Sequence, residues 1–75
     1  MQKKYSKSVK IPNGSITAYI NKPTDQLVEV YIERVQLING FVEKENMMPC
    51  ALNCGLSVIE DNLHEVLNNL AQIVN

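Results

Sequence analysis

The sequence predicts a small α+β domain: an antiparallel sheet built from two β-hairpins, with a C-terminal amphipathic helix packed on one face, in the order ββββα. Three observations carry this. Val9-Lys10-Ile11-Pro12-Asn13-Gly14 is echoed by Val35-Gln36-Leu37-Ile38-Asn39-Gly40, and both copies end in Asn-Gly, which accepts the positive φ angles of a hairpin turn. Residues flanking the first Asn-Gly alternate between apolar and polar, as a half-buried strand pair requires. Finally, Leu63, Val66, Leu67, Leu70, Ile73 and Val74 recur at helical spacing and form one apolar stripe.

The first hairpin follows from taking Asn13-Gly14 as the turn. Ile11 then pairs with Ile16, Val9 with Ala18, and Lys7 with Ile20, in strands near 4–11 and 15–21. The opposite face, with Lys10 beside Thr17 and Ser8 beside Tyr19, is mostly polar. Pro23, flanked by Asn21, Lys22, Thr24 and Asp25, ends the pairing in a loop.

Residues 27–38 admit two readings. As a helix, with Thr24 as cap and Gly40 as terminator, they put Glu29, Glu33 and Gln36 on one side and give ββαβα with 25–38 helical. As a strand, they make Asn39-Gly40 a second hairpin turn. Arg34 then faces Glu45, Gln36 faces Glu43, Ile38 faces Phe41 and Ile32 faces Met47, so unlike charges and like apolar groups meet. The β-branched and aromatic content favours the strand. Its apolar side changes from even to odd residues near Arg34, which calls for a bulge or for burial on both faces.

Asn46 to Gly55 is a connection carrying Pro49, Cys50 and Cys54, and its Met47, Met48, Ala51 and Leu52 should pack inward. The final helix has two candidate starts. Ser57 with Glu60 fits a capping box; Asp61 would cap a later start and leave residues 56–59 extended. Asn62, Glu65, Asn68, Asn69 and Gln72 form its wet side.

Seventy-five residues make one domain. At this size, roughly 70–80 residues, a single core supplies only a few kcal/mol, and association often adds the missing burial. The 45% apolar and 20% charged composition belongs to a folded chain, and the single Phe41 and absence of Trp make its core aliphatic. The net charge of −1 is divided: residues 1–22 hold five lysines and no acid, whereas residues 23–75 hold Arg34 and Lys44 against eight acids. Such a split steers an anionic partner to the first hairpin, or favours head-to-tail contacts between copies. No apolar run reaches the ~18 residues of a membrane span, and the stretch after Lys3 and Lys4 is too polar for a secretory signal. A cytoplasmic protein with reduced Cys50 and Cys54 is expected.

Candidate chemistry is sparse. Cys50 and Cys54 with His64 lack the four ligands and paired spacing of structural zinc, and they lack the Cys-x-x-Cys of redox proteins. Ser57, Asp61 and His64 have no Gly-x-Ser-x-Gly elbow around the serine, so helix capping explains them better than a triad. Glu60, Asp61 and Glu65 suit the positive end of a helix dipole. Two of the three glycines sit in Asn-Gly pairs, leaving no phosphate-cradling loop. Catalytic, metal and cofactor residues are therefore expected to be none.

The remaining candidates lie on the first hairpin. Lys3, Lys4, Lys7 and Lys10, with Tyr5 among them and Tyr19 on the next strand, could follow a phosphate backbone and stack a base. Lysines on an outer strand also guard a sheet edge against aggregation.

Gly55-Leu-Ser-Val-Ile-Glu-Asp61-Asn62-Leu63-His64-Glu65-Val66-Leu67-Asn68-Asn69-Leu70 resembles the strand-to-helix passage of HicB-like antitoxins through Asp61, Leu63, Glu65, Leu67 and Asn69. It departs where Glu60 replaces a glycine and His64 a glutamate. The resemblance implies a strand opened by Gly55, and a toxin-neutralising or DNA-regulating role.

The leading expectation is a non-catalytic protein-interaction module, a small inhibitor or regulator of the phage or mobile-element type. One helix cannot cover both sheet faces, and at least one edge is left for strand addition. A homodimer through the uncovered face or an edge strand is expected; a nucleic-acid-associated regulator is the second reading.

Overall fold

The structure, a computed structural model, describes residues 3–74. Strands β1 (Lys3–Ile11), β2 (Gly14–Lys22), β3 (Glu29–Ile38) and β4 (Phe41–Asn46) form one antiparallel sheet in the order β1-β2-β3-β4. Helix α1 (Met48–Asn53) and a 3₁₀ turn (Glu60–Asn62) lead into helix α2 (Leu63–Val74). Residues 29–38 are strand, so the order is ββββα with α1 added, and the helical alternative for 25–38 is not adopted.

The first turn differs from expectation. Ile11 pairs with Gly14, Val9 with Ile16 and Lys7 with Ala18, so Pro12-Asn13 rather than Asn13-Gly14 forms the tip. Proline fixes its φ near −65° and has no N–H to give a ladder, which suits the second position of a type II turn. Asn13 takes the following left-handed position, with φ 63°. The register moves by two residues, so every side chain keeps its face. Gly14 thereby enters the strand, where a Cβ would lie 2.0 Å from the Val35 carbonyl oxygen. The second turn is the expected one: Asn39 and Gly40 both have positive φ, at 53° and 83°, and Arg34–Glu45, Gln36–Glu43 and Ile38–Phe41 pair as the strand reading requires.

Neither a bulge nor two-faced burial resolves the parity change in β3. Both of its ladders run without insertion. The even residues Ile32, Arg34 and Gln36 stay on the helix side throughout, and Leu37 on the other side is 50% exposed. Helix α2 packs mainly on β1 and β2, so this end of β3 takes polar residues on the helix side while Ile11 and Ile16 in the same rows stay buried. Arg34 fills that end instead. Its Nε lies 3.1 Å from Glu45 Oε1 and its Nη1 donates to Gln36 Oε1 at 2.7 Å. Gln36 Nε2 donates to the Pro12 carbonyl at 2.8 Å, tying one hairpin to the turn of the other.

The core lies between the sheet and α2. Ile16, Ala18, Ile20 and Ile32 meet Leu63, Val66, Leu67 and Leu70, all at most 2% exposed. Ala71 completes the stripe in place of Ile73, which is half exposed. The connection after β4 packs down through Met47 and Ala51, with Met48 partly buried and Leu52 exposed against expectation, and it does so as a helix the sequence pattern did not announce. Pro49 suits its first turn. Leu56 N–H donates to Ala51 O and Gly55 N–H to Leu52 O, and Gly55 has φ 74°, so α1 ends in a Schellman motif.

Neither expected cap starts α2. Asn62 Oδ1 accepts the Ile59 N–H at 3.0 Å, and Asn62 Nδ2 donates to the Ser57 carbonyl. Residues 56–59 make no strand, so the strand implied by the HicB-like passage is missing. Glu60 anchors the turn to the first hairpin: Tyr5 Oη donates to Glu60 Oε1, and Lys22 Nζ lies 3.4 Å from Oε2. The Tyr5 hydroxyl, followed by Lys22, holds the Glu60 carboxyl below the usual carboxylate range, while the same bond raises the Tyr5 hydroxyl.

Candidate interaction surface

Helices cover one face of the sheet, and the strands' period of two assigns the other. Across β1, β2 and β3 the uncovered face carries two adjacent rows, Lys4–Asn21–Glu29 and Ser6–Tyr19–Tyr31. Together they line a shallow trough of about 600 Å³. The Tyr19 and Tyr31 rings stack across β2 and β3 with centroids 6.3 Å apart and planes inclined by 29°. Both are exposed, at 47% and 42%, so the pair offers aromatic surface to a partner. Asn21 Nδ2 donates to Glu29 Oε1 at 3.1 Å, and the buried Asn21 Oδ1 accepts no hydrogen bond from the described residues. The Glu29 carboxylate and the Lys4 ammonium give the trough both polarities.

The six residues singled out from sequence divide between the faces. Lys4, Lys10 and Tyr19 lie on the uncovered face; Lys3, Tyr5 and Lys7 lie on the helix side. Of the six, Lys4 and Tyr19 bring their side chains to the trough. Lys10 sits near the Pro12-Asn13 turn, and Lys7 stands alone opposite Ala18. Lys3 Nζ is 5.2 Å from the Tyr5 ring centre, a cation–π arrangement, and the Tyr5 hydroxyl is committed to Glu60. Tyr19 stands opposite Ser6, two residues from the expected Ser8. Sequence reasoning missed Tyr31, Asn21 and Glu29, because the register of β2 on β3 was needed to bring them together.

Two strand edges complete the surface. β1 and β4 each pair on one side only, and every residue of β4 is exposed. At the far hairpin Phe41 is 74% and Val42 65% exposed. Val42 is the cross-strand neighbour of Leu37, and Phe41 of Ile38.

The other sequence candidates stay apart. Ser57, Asp61 and His64 are all exposed, and Asn62 makes the polar bonds of that turn. Cys50 and Cys54 are free thiols, and burial followed by the neighbouring Cys54 pushes the Cys50 thiol up, away from the reactive thiolate. Among the described residues no three His, Cys, Asp or Glu side chains gather as a metal site would need. No helix among them is long and apolar enough to cross a membrane. The chain matches no family model, no curated protein and no solved structure.

Proposed function

We propose that this chain is a non-catalytic interaction module, a small cytoplasmic inhibitor or regulator that binds a protein partner and also associates with itself. The observation that carries this reading is the sheet with one uncovered face and two unpaired edges, on a domain of 75 residues. Unpaired N–H and C=O groups along β1 and β4 invite strand addition, and the Tyr19–Tyr31 pair gives the uncovered face an aromatic anchor. The test is affinity capture from the native host's lysate with and without nuclease, repeated with Tyr19→Ala and Tyr31→Ala together and with Ser8→Pro on the β1 edge. One protein recovered in stoichiometric amount in both samples, and lost with a variant that keeps its circular dichroism, supports the reading. Capture indifferent to face and edge variants refutes it.

A second reading rests on Lys4 lining the trough beside two stacked tyrosines. Single-stranded nucleic acid would place bases on the rings and phosphates on the lysine. It draws on the trough, not on the HicB-like passage. It requires affinity for an oligonucleotide that falls steeply with salt and with Lys4→Gln; salt-independent binding counts against it.

A further inference from the structure

We propose that β1 of one copy of this chain joins β4 of another as neighbouring antiparallel strands, so that the sheet continues from molecule to molecule. The inference rests on the strand edges being the interaction surface, and it specifies the occupant.

The two edges are chemically opposite. β1 carries Lys3, Lys4, Lys7 and Lys10 and no acid, whereas β4 carries Glu43 and Glu45 about Lys44. Pairing β1 with its own copy about a two-fold axis sets Lys7 on Lys7 and Lys4 on Lys10 in the Lys7-centred register, and in every register it brings two wholly basic edges together with no acid to meet them. Pairing β4 with its own copy sets Glu43 on Glu43, Lys44 on Lys44 or Glu45 on Glu45 in the registers centred on those residues, and the one centred on Val42 sets Glu43 against the Phe41 ring. Like charges directly opposite are unfavourable in a sheet and unlike charges favourable, so the mixed arrangement, which alone sets β1 lysines against carboxylates, is favoured over either symmetric one.

Backbone geometry narrows the register. The two-residue turns make Ile11–Gly14 and Ile38–Phe41 the closing pairs. Odd residues of β1 and β4 therefore bond inward, as the Met47 N–H to Ile32 O bond at 2.8 Å continues. Even residues direct N–H and C=O outward, so even must face even across a new ladder. One such register places Ser8 opposite Val42, Ser6 opposite Lys44 and Lys4 opposite Asn46. On the helix side it places Val9 opposite Phe41, Lys7 opposite Glu43 and Tyr5 opposite Glu45. The 74%-exposed Phe41 ring gains an apolar neighbour, and Lys7 gains a carboxylate at a pair where side chains approach closely. Sliding by two residues one way sets Lys4 on Lys44; sliding the other way sets Val9 on Glu43.

The contact is heterologous. Four antiparallel strands leave β1 and β4 running in opposite directions, so successive copies add in the same sense and the array closes into a ring or extends.

The test is sedimentation velocity of the purified full chain over a concentration series, with Lys7→Glu, Glu43→Lys and their equimolar mixture. Wild type is expected to sediment as species larger than one chain that grow with concentration. Each variant alone sets like charges opposite one another at this pair, two carboxylates with Lys7→Glu and two ammonium groups with Glu43→Lys. Each should therefore associate roughly tenfold more weakly. The mixture restores an ammonium–carboxylate contact at both kinds of junction and should recover wild-type association. Ser8→Pro, which removes an outward N–H and leaves the β1–β2 bonds in place, should abolish association with circular dichroism unchanged. A wild-type chain that stays monomeric overturns the proposal, as does a mixture no stronger than either variant alone. A monomer that still captures its partner from lysate overturns self-pairing and leaves the interaction-module reading standing.

Discussion

Gly14→Ala should destabilise this protein more than Gly40→Ala, although Gly40 is the glycine with a positive φ. At Gly14 an added Cβ would meet Val35 O at 2.0 Å and Gln36 Cα at 2.8 Å, both backbone atoms that cannot swing aside. Because real Cβ contacts stay beyond 3.0 Å, β2 and β3 must part by about 1 Å at that end. Parting strains the Gln36–Pro12 bond and the Leu37 N–H bond to Asn13 O at 2.9 Å. Overpacking of this kind costs about 2 kcal/mol, and losing one of these two hydrogen bonds about 1 kcal/mol net, so about 3 kcal/mol is expected in total. At Gly40 an added Cβ meets nothing within 4 Å. Only the left-handed backbone penalty applies there, about 1 kcal/mol in an exposed turn that can relax. For a domain this small those losses correspond to melting points lower by about 12–24 °C and about 4–8 °C. Urea and thermal unfolding followed by circular dichroism give both values. Equal losses, or a larger loss at Gly40, would refute the close-approach argument and point to a turn at Asn13-Gly14.

Two further predictions concern the helix. Leu67→Ala empties the centre of the apolar stripe at a fully buried position and should cost about 2–5 kcal/mol, a large share of the roughly 4–11 kcal/mol available to a chain of this length; a shift in urea midpoint equivalent to less than about 1 kcal/mol would mean that α2 does not bear on the sheet as described. The Tyr5–Glu60 tether should make stability pH-dependent at both ends. Glu60, held below its ordinary 4.5, contributes above that pH and loses the contribution as pH falls through its lowered value. Tyr5, raised above 10.0, contributes below pH 10.0 and loses it as pH rises through its raised value. Glu60→Gln should flatten the acid limb of melting temperature against pH and weaken the alkaline one, and Tyr5→Phe should flatten both limbs; profiles parallel to wild type would exclude the tether.

Much of the fold was legible in the chain itself. Alternation about the two Asn-Gly pairs placed both hairpins, and the face of each β1 and β2 residue survived a wrong turn position because faces depend only on parity. The spacing of Leu63, Val66, Leu67 and Leu70 placed α2, and opposite charges at Arg34, Glu43 and Glu45 placed β3 on β4. These signals are local or lie between neighbouring segments, so the sequence by itself could carry them. The choice of Pro12-Asn13 as the first turn, the polar helix-side end of β3 at Arg34 and Gln36, and the cap made by Asn62 needed the packed molecule. So did the surface: the lysines of β1 form one run in the sequence, but pleating sends Lys4 and Lys10 to one side and Lys3 and Lys7 to the other. The meeting of Tyr19, Tyr31 and Asn21 depends on the register between β2 and β3, which the geometry of the whole sheet sets and no short stretch of residues encodes.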